Sequence, residues 1–452
     1  MRDDGVARLD RRALLRRGAI LAGASSVAGG AGVVSARELA TRDEATAAAS
    51  PSTTGDDPRL FALDASYANL TTFLLASHPK PVRDAIARHR ERLDANPALY
   101  LPEVELRLED AARAAAASYL GAEPDQIALT DSTTMGLGLV YGGLRLEPGD
   151  EVVTTEHDFY ATHESLRLRE ERDGVRVRRV RLYDEPELAS AGEIVSAIEN
   201  ALGPRTRCVA LTWVHSSSGV KLPLGEIADV VRRANGRRGE GERILLCVDG
   251  VHGFGVEDAS PLELGADVFV SGCHKWLFGP RGTGIVAATS FAWTRVLPAI
   301  PTFDPRAYIA WLERRRPTET PPGPLMTPGG FHSFEHRWAL AEAFRVHEQL
   351  GGRARVARKT HELAARLKRG LAEIPRVAVK TPSDDTLSSG LICAVVRDLA
   401  PPAVVEELRE RHKVIASITP YAVPYVRFGP SLANSEADVD RALEAVAAIA
   451  RR

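Results

Sequence analysis

Apolar residues recur along this chain in two rhythms. In some stretches they fall three and four positions apart, as on one face of a helix; in shorter stretches they are continuous or alternate, as in strands. The first rhythm predicts helices over residues 82–93, 103–119, 135–144 and 226–234. The second predicts strands over 126–130, 151–155, 207–213, 244–248, 267–270 and 284–288. Residues 175–182 alternate Val and Arg, the pattern of a half-exposed strand. Strand–helix alternation of this kind predicts an α/β fold, with a mostly parallel sheet covered on both faces. Residues 301–330 hold seven of the 28 prolines and little period, which predicts a long irregular junction. Beyond it, helices are expected over 337–350, 356–372 and 436–449, and strands over 377–379, 391–396 and 426–428. The chain therefore divides into a large domain (59–300, with an N-terminal arm), the junction (301–330) and a smaller α+β domain (331–452).

The first 58 residues follow neither rhythm. Residues 1–17 carry six Arg and three Asp, residues 19–34 are uncharged and rich in Ala, Gly and Val, and Val34-Ser35-Ala36 offers small residues for cleavage. A basic head, an apolar middle and a small-residue exit predict an export signal over residues 1–36. Asp10-Arg11-Arg12-Ala13-Leu14-Leu15-Arg16 resembles a twin-arginine signal. It implies the twin-arginine export machinery as a partner and a periplasmic or extracellular destination for a protein folded before export. Residues 37–58 are Ala, Thr, Ser and Asp with Pro51 and Gly55, a flexible linker. The apolar middle is too short and glycine-rich for a stable spanning helix, so no stable membrane insertion is expected.

Composition narrows the function further. The 452 residues include 58 Lys+Arg against 60 Asp+Glu, a net charge of −2, which argues against holding nucleic acid by bulk charge. The 44% hydrophobic content is that of a folded globular protein. The four cysteines, Cys208, Cys247, Cys273 and Cys393, are too far apart in sequence for a metal knuckle. Only seven basic residues are Lys against 51 Arg, so a Lys inside a motif stands out.

Ligands of open α/β sheets sit at the carboxyl ends of the strands. Four predicted strand ends carry candidate chemistry. Thr130-Asp131-Ser132-Thr133-Thr134-Met135-Gly136 opens a helix with hydroxyls and backbone N–H groups, either an anion cradle or an ordinary N-cap. Thr154-Thr155-Glu156-His157-Asp158 places a His where it could stack on a flat ligand or rest half-buried. Asp249-Gly250-Val251-His252 ends a strand on a carboxylate that is costly to bury without a cationic partner. Ser271-Gly272-Cys273-His274-Lys275-Trp276-Leu277 puts a rare Lys between a strand end and the turn Gly279-Pro280-Arg281-Gly282-Thr283-Gly284. A desolvated Lys can form a Schiff base with a carbonyl. Together these supply a Lys for a carbonyl, an Asp for a ring nitrogen, a His for a ring face and a cradle for a phosphate, the needs of pyridoxal phosphate.

On these residues the chain resembles the aminotransferase class V family, in particular its isopenicillin N epimerase-like branch. Trp213-Val214-His215-Ser216-Ser217-Ser218-Gly219 and Val426-Arg427-Phe428 belong to the same resemblance, which covers about residues 60–450. It implies a fold-type I enzyme with pyridoxal 5'-phosphate and a homodimer that builds each site at a subunit interface. Lys275 would hold the cofactor and shuttle the Cα proton. Asp249 would pair with the ring nitrogen and His157 would stack on the ring. His252 and Ser216 would lie near the phenolic oxygen. Ser132, Thr133, Thr134, His274 and Ser271 would hold the phosphate, and Arg427 would clamp a substrate carboxylate. The implied activity is epimerisation or transamination at Cα of an amino-acid-like small molecule; β-elimination or oxygen-dependent decarboxylation are alternatives on the same scaffold. Cysteine desulfurases carry a nucleophilic Cys shortly before the position of Arg427, and residues 412–426 contain none. A competing motif, His332-Ser333-Phe334-Glu335-His336, matches an inverted zinc-hydrolase pattern in which two His share a helix face.

Overall fold

The computed structural model describes residues 60–452, so the predicted signal (1–36) and linker (37–58) lie outside the described residues. After β1 (Ala68–Asn69), seven strands form the large sheet: β2 (Ile127–Thr130), β3 (Glu151–Thr155), β4 (Arg176–Val180), β5 (Thr206–Thr212), β6 (Leu245–Asp249), β7 (Val268–Gly272) and β8 (Gly284–Ala288). Their order is β2-β8-β7-β6-β5-β3-β4, and only β8 runs against the rest.

Side chains alternate across the sheet because successive Cβ atoms point to opposite faces. Val209, Leu211, Leu246 and Val248 pack with Ile194, Ile198, Ile227 and Val231 of helices Ala191–Ala201 and Leu224–Asn235. Their neighbours Cys208, Ala210, Leu245 and Cys247 pack on the opposite face with Leu137, Val140 and Leu166 of helices Thr133–Gly143 and Tyr160–Asp173. At one edge, Arg176, Arg178 and Arg179 of β4 face solvent, a charged rim that discourages pairing with another chain.

Residues 301–330 are more ordered than their sequence predicts. Two short helices, Pro305–Leu312 and Pro322–Met326, each begin on a proline, whose missing N–H costs nothing at a helix start. The second lies against the other edge of the sheet. A Cβ on Gly323 would stand 2.4 Å from the Ile127 carbonyl oxygen, and Thr327 Oγ1 accepts a hydrogen bond from Leu129 N at 3.1 Å. The next two helices, Phe334–Trp338 and Leu340–Gln349, also serve the large domain: Ala339, Leu340, Ala343 and Phe344 pack with Ala112, Ile127 and Phe269. The smaller core thus begins at helix Gly352–Glu373 rather than at residue 331.

That smaller domain is built on β9 (Val377–Val379), β10 (Ile392–Val396), β12 (Ser417–Ile418) and β13 (Val426–Phe428), an antiparallel sheet of order β12-β13-β10-β9. Helices Gly352–Glu373, Pro401–His412 and Glu436–Ala450 contribute to its core. The N-terminal arm joins it. β1 pairs in parallel with β11 (Val414–Ile415), Ala68 against Val414, and Leu70 is buried in the same core. At the domain boundary, the buried Glu257 accepts from Lys221 Nζ of the large domain and His361 Nε2 of the small one, both at 2.9 Å. No helix among the described residues is long and apolar enough to cross a membrane.

Gly323→Ala forces a methyl group against backbone that cannot rotate away. It is expected to lower stability by about 1–3 kcal/mol, read as a drop in the urea midpoint, with no change at the strand ends.

Candidate functional site

The carboxyl ends of β3, β5, β6 and β7 meet at one cleft, and the segments leaving them carry the predicted residues. Asp158, just past β3, ties two of these ends together. Its Oδ2 accepts from Thr154 Oγ1 and Thr155 N at 2.8 and 2.7 Å, and its Oδ1 accepts from Thr212 N of β5 at 2.7 Å.

Asp249 ends β6 and is 2% exposed. Its Oδ1 accepts from Val251 N at 3.0 Å. Burial pushes its pKa up to about 6; the Val251 hydrogen bond and the charge of Lys275 work the other way. Lys275, in the turn after β7, is pushed down to about 8, first by burial and then by Arg427, against the pull of Asp249. The two groups sense each other without an ion pair, so Asp249 keeps a lone pair for a cationic donor and Lys275 keeps a reactive amine within reach of neutral pH.

His157 lies flat on Tyr183, ring centroids 3.9 Å apart and planes 14° from parallel. Its Nε2 accepts from Leu182 N at 3.2 Å, so Nδ1 carries the proton of the neutral ring. Burial, then His215, lowers its pKa to about 3. Tyr183 is itself held through its hydroxyl by His215 Nδ1 at 2.7 Å and Ser218 Oγ at 3.2 Å. One ring face of His157 is thereby covered and fixed, which leaves the other for a ligand.

Helix Thr133–Gly143 begins beside β7. Ser132 Oγ caps Met135 N at 3.1 Å, and Ser132 O accepts from Gly136 N. The N–H groups of Thr133 and Thr134 find no acceptor among the described residues. Thr133 Oγ1 accepts from Gly272 N at 2.7 Å, which clamps this helix start to the end of β7. A Cβ on Gly272 would meet both His274 Cε1 at 2.9 Å and Thr133 Oγ1 at 3.1 Å, so ring and hydroxyl flank the same point. His274 Nδ1 is buried there without a partner. Free N–H groups, a helix N-terminus and an orphaned imidazole nitrogen form an anion cradle. Ser271 is wholly buried and donates its hydroxyl to Gly272 O at 2.9 Å.

Arg427 of β13 reaches the cleft from the smaller domain. It is 3% exposed. Nε donates to Ser417 Oγ at 3.1 Å and Nη1 to Ser216 O at 3.0 Å, and the guanidinium sits 4.6 Å from the ring centre of Phe73 on the N-terminal arm. It has no carboxylate partner among the described residues, and burial lowers its pKa. A guanidinium this deep without a counter-ion is expensive unless an anion arrives. Ser216 Oγ pairs with the Tyr421 hydroxyl at 2.7 Å. His252, buried with its pKa pushed well down, accepts at Nδ1 from Trp276 Nε1 at 3.4 Å.

These residues fit pyridoxal phosphate. The cradle suits its phosphate, the unpaired Asp249 carboxylate its ring nitrogen, the free face of His157 its ring, and the depressed Lys275 amine its carbonyl. Asp158, Tyr183 and Tyr421 were not marked by the sequence. The first two read as ordinary strand-end residues, and Tyr421 sits in the aperiodic run Thr419-Pro420-Tyr421-Ala422-Val423-Pro424. The zinc-like motif does not assemble. His332 precedes helix Phe334–Trp338 and bonds Gly330 O, whereas His336 bonds Arg281 O. No group of three or more His, Cys, Asp or Glu among the described residues could hold a metal.

Comparison with known proteins agrees with this geometry. Residues 76–441 match the family model described as aminotransferase class-V. The chain is 28% identical over 404 residues to isopenicillin N epimerase of Streptomyces clavuligerus, covering 86% of this chain and 96% of that protein. It is 30% identical over 249 residues to an L-cysteine desulfhydrase-like protein of Epichloe uncinata, covering 54% and 51%. Among solved structures, the cystine C-S lyase C-DES in complex with its product cysteine persulfide superposes with a TM-score of 0.75 at 22% identity, over 85% of this chain and 98% of that one.

If Lys275 is the amine that captures the cofactor, borohydride trapping of pyridoxal phosphate on the apoprotein rises about tenfold per pH unit below its pKa and levels off above about 8. Mass spectrometry should place the label on Lys275, and Lys275→Ala should trap none.

Proposed function

The chain belongs to the aminotransferase class-V family and is a pyridoxal-phosphate enzyme, and on that premise we propose that it moves the Cα proton of an amino acid bearing a free α-carboxylate, as an epimerase or racemase, with transamination as the neighbouring outcome. Arg427 carries this reading. It is a buried guanidinium without a counter-ion, anchored by Nε and Nη1, with Nη2 free to donate to a carboxylate. The epimerase relative that spans most of the chain supports the same choice.

Bound pyridoxal phosphate supplies an electron sink for charge that develops at Cα. The chain's own residues do the rest. Arg427 fixes the carboxylate and so orients the bond to Cα. Lys275 Nζ would hold the cofactor's carbonyl and, as a free amine, would take or return the Cα proton. Asp249 keeps a proton on the ring nitrogen. His157 covers one face of the ring, while Thr133, Thr134 and His274 hold the phosphate.

Desulfurase chemistry needs an exposed thiolate. All four cysteines are buried, and burial raises Cys393 to about 12. A β-lyase reading draws support from desulfhydrase-like relatives. We further propose that the protein is exported folded by the twin-arginine route, on the strength of Arg11-Arg12 and the apolar run behind them. We also propose that it works as a homodimer, since Phe303 and Phe331, 67% and 85% exposed, line one groove with Tyr308, and contiguous exposed apolar surface marks an interaction site.

Holoenzyme incubated with a panel of L- and D-amino acids in deuterium oxide should yield the opposite enantiomer labelled at Cα. Keto acid without inversion would assign transamination, and pyruvate from cysteine would assign β-elimination. Arg427→Ala should lower kcat/KM for carboxylate substrates about 100-fold or more, mainly through KM. An unchanged kcat/KM would remove the clamp.

A further inference from the structure

Inversion at a carbon requires proton transfer on both faces, and Lys275 serves one. Across the mouth of the cleft the strand order β7-β6-β5-β3 fixes the order of the residues at and just beyond the strand ends: Lys275, Asp249, Ser216, then His157 and Phe159. Tyr421 belongs to the far side of this row. Its hydroxyl lies 2.7 Å from Ser216 Oγ, and its ring meets the Phe159 ring edge to face at 6.2 Å. In strand order Lys275 lies on one side of Asp249, and Ser216, which holds the Tyr421 hydroxyl, lies on the other.

Arg427 bears on both. Its Nη1 is bonded to the carbonyl of Ser216, the residue whose hydroxyl holds Tyr421, and its charge acts on both Lys275 and Tyr421. A carboxylate bound by Arg427 would thus be held by a charge that acts on both groups. The loop that carries Tyr421 is pinned closed. Thr419 N donates to Tyr425 O at 3.0 Å, Tyr425 N to Thr419 Oγ1 at 2.8 Å, and Tyr421 N to Thr419 O at 3.0 Å. Nothing in large-domain packing requires a phenol there, and its hydroxyl has one protein partner.

We propose that Tyr421 is a second catalytic residue, which exchanges a proton with the face of Cα opposite Lys275, with Ser216 as its relay to water. This rests on the reading of the site as one of Cα proton transfer. In one direction Lys275 Nζ, as the free amine, takes the Cα proton, and the electron pair of the broken C–H bond stays with the substrate, where the cofactor would serve as its sink. A new C–H bond then forms with the proton of the Tyr421 hydroxyl. The phenolate takes the proton of Ser216 Oγ, which recovers one from water as Lys275 releases its own. Nothing is oxidised or reduced. In the other direction Tyr421 first passes its proton through Ser216 Oγ to water and then takes the Cα proton, while Lys275, as the ammonium, supplies the new one. Burial keeps Tyr421 protonated, with a pKa of about 12, as a donor requires.

Glycine tests this without any side-chain pocket, because its two Cα hydrogens report the two faces. In deuterium oxide, wild-type holoenzyme should exchange both. Tyr421→Phe, which keeps the ring against Phe159, should exchange one at the wild-type rate and the other at least about 100-fold more slowly. Its dissociation constants for pyridoxal phosphate and glycine, read by spectral titration, should be unchanged. Exchange of both hydrogens in the wild-type ratio would overturn the proposal. So would weaker glycine binding with both hydrogens slowed alike, since that is the signature of a group that only positions the carboxylate. If the wild type exchanged neither hydrogen while still trapping the cofactor on Lys275, the Cα reading would fall and the proposal with it.

Discussion

Everything at this cleft depends on the cost of holding charge where water is scarce. A carboxylate, an amine and a guanidinium share the space, and none of the three forms an ion pair with another. Left alone, each is raised or lowered toward its neutral form by burial. A ligand that brings a ring cation to Asp249, a carbonyl to Lys275 and a carboxylate to Arg427 relieves all three at once. The fold therefore stores its affinity as unsatisfied electrostatics, and the surrounding hydrogen bonds serve to keep these groups apart until the ligand arrives.

That separation is built by elements far apart in sequence. Asp158 binds the end of β3 to that of β5, Gly272 binds the end of β7 to the helix that starts at Thr133, and Phe73 of the N-terminal arm lies beside the guanidinium of Arg427. Each is a short contact between backbone and side chain, or between ring and cation, that fixes direction more than it adds stability. The smaller domain contributes Arg427 and Tyr421 to the cleft, and Glu257 joins it to the sheet through Lys221 and His361. On the proposed reading, recognition of the cofactor and recognition of the substrate fall to different domains.

The strands of the large sheet, and with them Asp249, Lys275 and His157, could be read from the sequence because buried strands are apolar throughout and their polar ends are conspicuous. Helices Tyr160–Asp173, Ala191–Ala201 and Pro401–His412 were not predicted. The first is charged on most of its surface and buries only Ala161, Thr162 and Leu166, too few positions to set a period. The helices of residues 301–330 were hidden by the prolines that start them. Tyr421 could not be found by any local rule, since its partners Ser216 and Phe159 lie more than two hundred residues away. The converse holds for His332 and His336, whose spacing suggested a metal until the helix was seen to begin between them.

The pairing of β1 with β11 bears on the order in which the protein can be finished. Ala68 is among the first described residues to leave the ribosome, yet its strand partner Val414 comes among the last. The helices and parallel strands between them can assemble as they emerge, but the smaller core cannot close, and Phe73 cannot settle beside Arg427, until residues 414–427 have been made. The N-terminal arm is therefore a latch thrown by a strand more than three hundred residues later. A copy truncated anywhere before β11 would present an open core rather than a shorter version of the same protein.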